Sequence, residues 1–227
     1  MVEQRFEVER KRLVEELVSS GIINSKEVIR AMSKVPREEF VPEYLKNKAY
    51  IDSPLPIGHG QTISAPHMVA MMCEFLELKV GDKVLEVGAG SGYHAAVIAE
   101  IVAPENAKNP GHVYTVEIVK ELVDFARKNL EKTSYIKYVT IVCGDGTLGL
   151  PEYAPFNKIL ITAAAPKIPP PLIEQLKPEG ILVSPVGEPH FYQTLQKLVK
   201  TPDGKIEVSE LCGVAFVPLK GKYGWKI

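Results

Sequence analysis

The sequence lacks an excess of either charge. Lysine and arginine total 27 against 28 aspartate and glutamate, so the formal net charge is −1. A nearly neutral chain has no strong positive field to hold a nucleic-acid backbone or an anionic membrane surface. We therefore expect neither a nucleic-acid partner nor a membrane partner.

Long apolar runs are absent as well. No uninterrupted apolar stretch approaches the roughly 20 residues that a membrane-spanning helix needs. The first residues, MVEQRFEVERKRLVEEL, carry too many charges for a signal-peptide core. These observations predict a cytoplasmic protein.

Cysteine is scarce and histidine is scattered. Cys73, Cys143 and Cys212 lie far apart, without C-x-x-C spacing, which argues against a disulfide framework. We interpret them as reduced, mostly buried thiols, with a catalytic thiol as the alternative. The five histidines show no metal-ligand spacing, so we expect no metal.

The length and the hydrophobic content of the chain suit one domain. With 227 residues, of which 45% are hydrophobic, it is long enough to bury a sizeable core. We predict a single domain over residues 1–227, with N-terminal helices and a loop at 1–65, an α/β core at 66–187 and a C-terminal hairpin at 188–227.

Apolar periodicity predicts the elements of this domain. Helices are expected at 3–20 and from Ser25 to the residue before Pro36, and proline and glycine impose an irregular path from 36 to 66. Beyond it, strands and helices alternate, which predicts an α/β fold with a mostly parallel sheet. The predicted strands are 83–88, 112–117, 138–144, 158–164 and 180–186, and the predicted helices are 93–102, 120–130 and 171–176. Residues 190–200 and 205–219, joined by a Pro-Asp-Gly turn, predict a terminal hairpin with at least one antiparallel strand.

A glycine-rich turn follows the first predicted parallel strand. Gly88, Gly90 and Gly92 precede a helix, where glycines let backbone N–H groups approach a ligand. Glu117 ends the next strand, where a carboxylate can accept hydrogen bonds from two ribose hydroxyls; a solvated helix cap is the alternative. The dinucleotide pattern would need a glycine where Tyr93 stands.

A third strand ends in Asp145-Gly146. The aspartate can accept a hydrogen bond from an exocyclic amine, although turn chemistry alone also explains an Asp-Gly pair. In a doubly wound sheet, three successive strand tips would face one crevice. Together they favour a nucleoside ligand.

The stretch GQTISAP, residues 60–66, concentrates small polar groups between prolines. Ser64 or Ala65 can start a helix there, since a hydroxyl can cap backbone N–H groups and Pro66 suits a first helical turn.

These residues resemble a known family. The G-x-G-x-G turn, the glutamate and the Gly-Asp-Gly resemble the class I S-adenosylmethionine-dependent methyltransferase fold. The segments SPLPIGHGQTISAPHMVAMM, LEVGAGSGYHAAVIA, NKILITAAAP, LIEQLKPEGILVSPVG and VAFVPL resemble the protein-L-isoaspartate O-methyltransferase family in particular, over residues 5–219. Residues 220–227, KGKYGWKI, match that family less well.

The resemblance implies a Rossmann-like, seven-stranded sheet with the last strand inserted antiparallel. It also implies a repair enzyme that methylates the free α-carboxylate of L-isoaspartyl residues in damaged proteins and peptides, giving an ester that collapses to succinimide. The cofactor would be S-adenosyl-L-methionine and its product S-adenosyl-L-homocysteine. The family's active-site serine falls on Ser64, and its cofactor contacts fall on Thr62, Ile63, Glu86, Gly88, Glu117, Asp145 and Gly146.

For the peptide substrate, we expect backbone recognition of an extended segment by residues 212–219, with Val214 and Val217 at the docking edge. A core strand is the alternative for this segment. His59 and Tyr50 are further candidates for the mouth of the site. We expect a monomer.

Three other functions compete with this interpretation. One is a class I methyltransferase acting on a small molecule or RNA, although residues 161–166, ITAAAP, lack the Asn/Asp-Pro-Pro-aromatic motif that grips an exocyclic amine. The others are a binding protein that holds the cofactor without turnover and a dinucleotide-dependent oxidoreductase.

Overall fold

Helices and strands alternate through the middle of the chain, as the apolar pattern predicts. The computed structural model describes residues 2–189 and 191–226. The helices are α1 (Val2–Ser19), α2 (Lys26–Lys34), α3 (Pro66–Leu76), α4 (Tyr93–Val102), α5 (Lys120–Lys132) and α6 (Pro170–Glu174). The strands are β1 (Leu55–Gly58), β2 (Gln61–Ile63), β3 (Lys83–Val87), β4 (His112–Glu117), β5 (Val139–Cys143), β6 (Phe156–Ile161), β7 (Leu176–Gly187), β8 (Gln193–Lys200) and β9 (Ile206–Val214).

Seven strands form one sheet in the order β5-β4-β3-β6-β7-β8-β9. The first five in this order run parallel, which confirms the predicted α/β class. The reversed strand is β8, which pairs antiparallel with both β7 and β9. The antiparallel strand is therefore the last but one. The last strand, β9, lies at the sheet edge and is not inserted between two others as the resemblance implied.

The order of the strands creates a ligand-binding position. The chain enters the sheet at β3, continues outward through β4 and β5, and returns to the other side of β3 with β6. Open parallel sheets bind ligands beyond the carboxyl ends of the strands at such a switch point.

Burial on both faces explains the apolar sequences around this point. Val84–Val87 of β3 are buried, and every residue of α4 is buried because this helix packs between the sheet and α2. A helix enclosed in this way has no polar face, which agrees with its nearly continuous apolar sequence, YHAAVIAEIV.

The two N-terminal helices begin and end as predicted. Ser25 caps α2, since its hydroxyl accepts a hydrogen bond from the N–H of Val28 at 3.4 Å. The helix ends before Val35-Pro36, where proline cannot continue it.

The segment from 36 to 66 is more ordered than predicted. It contains two 3-10 helices, Arg37–Phe40 and Glu43–Lys48, and a small hairpin of β1 and β2. Gly58, His59 and Gly60 turn this hairpin with φ values of +91°, +54° and +71°. Such short elements depend on local turns and on contacts with the rest of the fold, so apolar periodicity does not reveal them.

The C-terminal hairpin is shorter than predicted. β9 ends at Val214 instead of continuing to 219, and residue 190 of the other predicted strand lies outside the described residues. Past β9 the chain crosses to the end of β6, where Ala164 N donates to Val217 O at 2.8 Å and Leu219 N donates to Ala164 O at 2.9 Å. These bonds draw the segment away from the sheet edge and over the carboxyl ends of the strands.

Two further findings concern the described ranges only. Within 2–189 and 191–226, no helix is long and apolar enough to cross a membrane, and no group of three or more His, Cys, Asp or Glu could hold a metal ion. The three cysteines are free, but only Cys73 is buried; Cys212 is half-buried and Cys143 is exposed, contrary to the expectation of mostly buried thiols.

Candidate active site

An inner cavity lies beyond the carboxyl ends of β3, β4 and β6, at the switch point of the sheet. Its empty volume is about 810 Å³, including the part open to solvent. Five chain segments line it, together with a few single residues: 61–64, 86–91, 116–119, 162–163 and 217–220, with Val69, Tyr93, His94 and Gly146.

The glycine turn after β3 forms the floor of this cavity. Gly88 and Gly90 line it with φ values of +101° and +53°. A Cβ on Gly88 would lie 2.4 Å from Thr162 Oγ1, which donates to Gly88 O at 2.7 Å. Only glycine allows this approach and this backbone conformation together.

Gly92 has a different place from the one predicted. It does not line the cavity; it precedes α4 with a φ of +84°, and a Cβ there would meet Leu130 at 3.2 Å. Gly92 therefore lets α4 start close against α5, and its effect on any ligand is indirect.

Two backbone N–H groups hold the carboxylate of Glu117 in place. The residue is only 6% exposed, so the alternative of a solvated helix cap is wrong. Its Oε2 accepts from Gly90 N and its Oε1 from Val119 N, both at 3.0 Å. Since a carboxylate offers about four acceptor positions, each oxygen can still accept a hydroxyl of a ribose.

Glu86 is the most deeply buried acid of the cavity. It has no solvent exposure, its Oε2 accepts from Thr115 Oγ1 at 2.6 Å, and its Oε1 has no partner among the described residues. Burial raises the pKa of Glu86 to about 8; the Thr115 hydrogen bond lowers it, and the nearby charge of Glu117 raises it. An unpaired buried carboxyl fits a cationic ligand, because a cation would favour its ionised form.

The segment Thr62-Ile63-Ser64 forms one wall. Ile63 is buried, Ser64 is half-buried and Thr62 is exposed. The residue before α3 is Ala65 and no side chain caps this helix, so Ser64 is not its cap. The Ser64 carbonyl instead accepts a hydrogen bond from the buried Arg37 at 2.8 Å.

An outer groove adjoins the inner cavity, with an empty volume of about 1170 Å³ including open solvent. Thr62, Ser64, Thr162 and Val217 line both spaces, so the inner cavity and the groove meet at these four residues. Val214 lines the outer groove but not the inner cavity. Both valines are half-buried: Val214 ends β9 and packs against the core, as the core-strand alternative expected, whereas Val217 lies beyond the strand.

Sequence reasoning missed several residues of the two spaces. Phe191 and Tyr192 border the groove with exposed fractions of 75% and 77%, and His67 also lines it. An adjacent Phe-Tyr pair just after a turn is a sequence signal that could have indicated this surface. His94 lines the inner cavity, and burial lowers its pKa to about 3, so its ring is neutral.

Besides Gly92, three predicted residues lie elsewhere. His59 is exposed at the hairpin tip and lines neither space, since the turn directs the chain away from the cavity. Tyr50 is also outside both linings; its hydroxyl accepts from Arg10 and donates to Glu38.

Asp145 is the third predicted residue that lies outside both linings. Its Oδ1 accepts from the N–H and hydroxyl of Thr147, and its Oδ2 accepts from Lys222 N at 2.7 Å. The carboxylate therefore holds the C-terminal segment and does not line the cavity, although Gly146 does.

Comparison with known proteins points to one family. A family model for protein-L-isoaspartate(D-aspartate) O-methyltransferase matches residues 8–224. The chain is 59% identical over 226 residues to the protein-L-isoaspartate O-methyltransferase of Hyperthermus butylicus, covering 99% of this chain and 93% of the relative. It is 57% identical over 221 residues to that of Methanopyrus kandleri, covering 97% and 95%.

A solved structure agrees as well. A Plasmodium falciparum chain described as a protein-L-isoaspartate O-methyltransferase, crystallised with S-adenosyl-L-homocysteine, superimposes with a TM-score of 0.82 at 32% identity, covering 93% of this chain and 98% of that one. By sequence and by fold, this chain belongs to the protein-L-isoaspartate (D-aspartate) O-methyltransferase family.

Proposed function

We propose that this chain transfers a methyl group from S-adenosyl-L-methionine to the free α-carboxylate of L-isoaspartyl residues in damaged proteins and peptides. The observation that carries the proposal is the position of Ser64, which lines both the inner cavity and the outer groove. A residue at this junction can touch an acceptor that enters from the groove and reaches toward a donor in the cavity.

The inner cavity supports the cofactor assignment. Glu117 offers acceptors for the ribose hydroxyls, Gly88 and Gly90 line the cavity without side chains, and Glu86 offers a buried carboxyl to a cationic group of the cofactor. The cofactor supplies the methyl group on a sulfonium.

The acceptor needs no general base. A free α-carboxylate has an unperturbed pKa of about 3.3 to 3.7, so it is already ionised at neutral pH. The four residues shared by the cavity and the groove, two threonines, a serine and a valine, include no base, in agreement with this chemistry. In our proposal the Ser64 hydroxyl donates a hydrogen bond to the carboxylate and orients it. Alignment of this kind is worth about 7 to 11 kcal/mol in favourable intramolecular reactions.

The methyl ester then closes to a succinimide, whose hydrolysis partly restores normal aspartate. This ring closure is spontaneous in our proposal, so the chain needs no group for it. Repair results from repeated cycles of methylation and hydrolysis.

The outer groove supports a peptide as the acceptor. Val214 and Val217 offer apolar contacts, and Phe191 and Tyr192 offer exposed aromatic rings. An extended peptide that pairs through its backbone would allow many flanking sequences. We do not retain His59 as a substrate contact.

We further propose a single-domain monomer that acts in the cytoplasm without nucleic acid. The net charge of −1 favours no polyanion. Light scattering of the purified protein tests the monomer.

The test of the proposed reaction uses matched peptides that contain either Asp or isoAsp, with labelled S-adenosylmethionine. We expect base-labile label on the isoAsp peptide alone. Ser64→Ala should lower kcat strongly and leave the affinity for S-adenosyl-L-homocysteine nearly unchanged, because its hydroxyl orients the acceptor. Ser33→Ala, on the exposed side of α2, is the matched control.

Other outcomes would contradict the proposal. Label on neither peptide would favour a binding protein, and transfer only to a small molecule or RNA would favour another methyltransferase. Equal loss of turnover and of cofactor affinity in Ser64→Ala would mean that Ser64 supports the wall of the cavity and does not orient the acceptor.

A further inference from the structure

Arg37 lies directly behind the wall that carries Ser64. Its side chain is fully buried, with no solvent exposure. Its Nε donates to Ala49 O and its Nη2 donates to Ser64 O, both at 2.8 Å. One planar guanidinium thus joins the two ends of segment 50–63, which contains the β1–β2 hairpin and Thr62.

The charge of Arg37 has no acidic partner. No carboxylate of the described residues lies within 4 Å of it, and a guanidinium stays protonated in proteins. The ring of Tyr93, 4.9 Å from Cζ, is the cation–π partner. Asp52 acts on Arg37 only from a distance, because its carboxylate accepts from the N–H and the ring Nδ1 of His67.

A buried unpaired charge is costly, so proteins generally pair such groups. By contrast, the buried carboxylate of Glu100 on α4 is paired with Arg30 and Lys34 of α2. Within the described part of the chain, only two buried side-chain nitrogen or oxygen atoms lack a hydrogen-bond partner: Nη1 of Arg37 and Oε1 of Glu86. Glu86 lines the inner cavity and Arg37 bonds to its wall, so both unsatisfied groups belong to the candidate active site.

We propose that Arg37 is a positioning residue for methyl transfer: it holds Ser64 through the backbone carbonyl, and its unpaired positive charge favours an anionic acceptor beside Ser64. This inference rests on the proposed function. The cost of burying the charge is partly recovered when a carboxylate occupies the groove, since the two charges attract in a medium of low dielectric constant. A neutral acceptor would not recover it.

Three variants separate position from charge. Arg37→Met removes the charge and both hydrogen bonds. Arg37→Lys keeps the charge, but its donors share one nitrogen and lack the fixed spacing by which Nε and Nη2 reach the two carbonyls. Arg30→Met is the matched control, since Arg30 also donates to a backbone carbonyl, Glu100 O, at 2.8 Å, but lies away from segment 50–63.

Four measurements are needed on the full-length protein. Steady-state kinetics with the isoAsp peptide give kcat and KM, and calorimetry gives the affinity for S-adenosyl-L-homocysteine. Binding of the peptide acid and of its α-carboxamide analogue, both with S-adenosyl-L-homocysteine present, gives the preference for a charged acceptor. Hydrogen exchange of segment 50–63 reports its anchoring without any turnover.

We expect Arg37→Met to lower kcat/KM about a hundredfold, the loss that a misplacement of about 1 Å can cause, and to abolish the preference for the acid. Arg37→Lys should lower kcat but keep that preference. Both variants should speed exchange in 50–63 and lower cofactor affinity much less than kcat/KM, whereas Arg30→Met should change none of these values.

The proposal is overturned if Arg37→Lys retains wild-type kcat and exchange, or if Arg30→Met reproduces the losses. A parallel fall in cofactor affinity would assign Arg37 a general packing role and would also overturn it. If Arg37→Met does not fold, Arg37→Lys decides. If the wild-type protein methylates no isoAsp peptide, the proposed function fails on its own, and exchange in 50–63 together with the preference for the acid still decides the role of Arg37.

Discussion

Glu86 should make the stability of the ligand-free protein depend on pH. This carboxyl is buried at the floor of the inner cavity, with one hydrogen bond, from Thr115, and one oxygen without a partner among the described residues. Burial, the largest cause, raises its pKa from 4.5 to about 8. At neutral pH the side chain is therefore mostly protonated.

The size of the effect follows from this difference in pKa. Since one pKa unit corresponds to about 1.36 kcal/mol, ionising Glu86 costs about 5 kcal/mol more in the folded protein than in the unfolded chain. Between pH 4.5 and about 8 the folded state binds more protons than the unfolded state. The contribution of Glu86 to stability is thus fully present below pH 4.5 and is lost as the pH rises through this window.

The perturbation that isolates this effect is Glu86→Gln, which keeps the shape of the side chain but does not titrate. Denaturant unfolding of both proteins, from about pH 5 to about pH 8.5, gives their free energies of unfolding. We expect the wild-type protein to lose about 4 kcal/mol relative to the variant over this range, which covers most of the full titration. Saturating S-adenosylmethionine, which carries an ammonium and a sulfonium, should reduce the loss by favouring the ionised carboxyl.

Parallel curves for the two proteins would refute the reasoning. They would mean that the folded protein solvates or pairs the ionised carboxyl well enough to keep its pKa near the ordinary value. A loss with the opposite sign, in which the wild-type protein gains stability as the pH rises, would refute it as well.

Three other predictions concern the cavity and the groove. Gly88→Ala should weaken binding of S-adenosyl-L-homocysteine at least about tenfold in calorimetry, equivalent to about 1.4 kcal/mol, because the new Cβ clashes with the Thr162 hydroxyl. Gly144→Ala is the control: a Cβ there meets open space, so this variant should bind normally. Asp145→Ala removes the acceptor of Lys222 N, so it should cost about 1 kcal/mol of stability and speed hydrogen exchange at 221–226; unchanged exchange would contradict this anchoring role. Phe191→Ala should raise KM for the isoAsp peptide and leave kcat unchanged, and an unaltered KM would remove this ring from the substrate groove.

Much of the fold could be predicted from the sequence because its signals are local. Apolar runs of strand and helix length, separated by turn residues, predicted the parallel sheet. The carboxyl ends of neighbouring parallel strands share one edge, so the glycine turn and Glu117 were expected together, and Gly90 N does donate to Glu117. Ser64 was singled out by its unusual loop and by resemblance.

Other parts of the site could not be predicted, because they depend on contacts between distant segments. The side chain of Asp145 looked free for a ligand, yet the backbone of Lys222, far along the chain, occupies one of its oxygens. Arg37 stands in an ordinary charged stretch, PREEF, and nothing local indicates that it is buried behind Ser64. His59 lies near Ser64 in sequence, but the hairpin turn takes it out of the site.

Periodicity thus determined the class of the fold and the order of its elements, and the quoted motif segments indicated the family by resemblance, since each depends on residues close in the chain. Only the tertiary structure decided which polar groups are paired and which are not. The pKa of Glu86 and the unpaired charge of Arg37 arise from burial and from the absence of a nearby counter-charge among the described residues. Burial depends on the packing of the whole chain, and it is burial that raises the pKa of Glu86 and makes the unpaired charge of Arg37 costly.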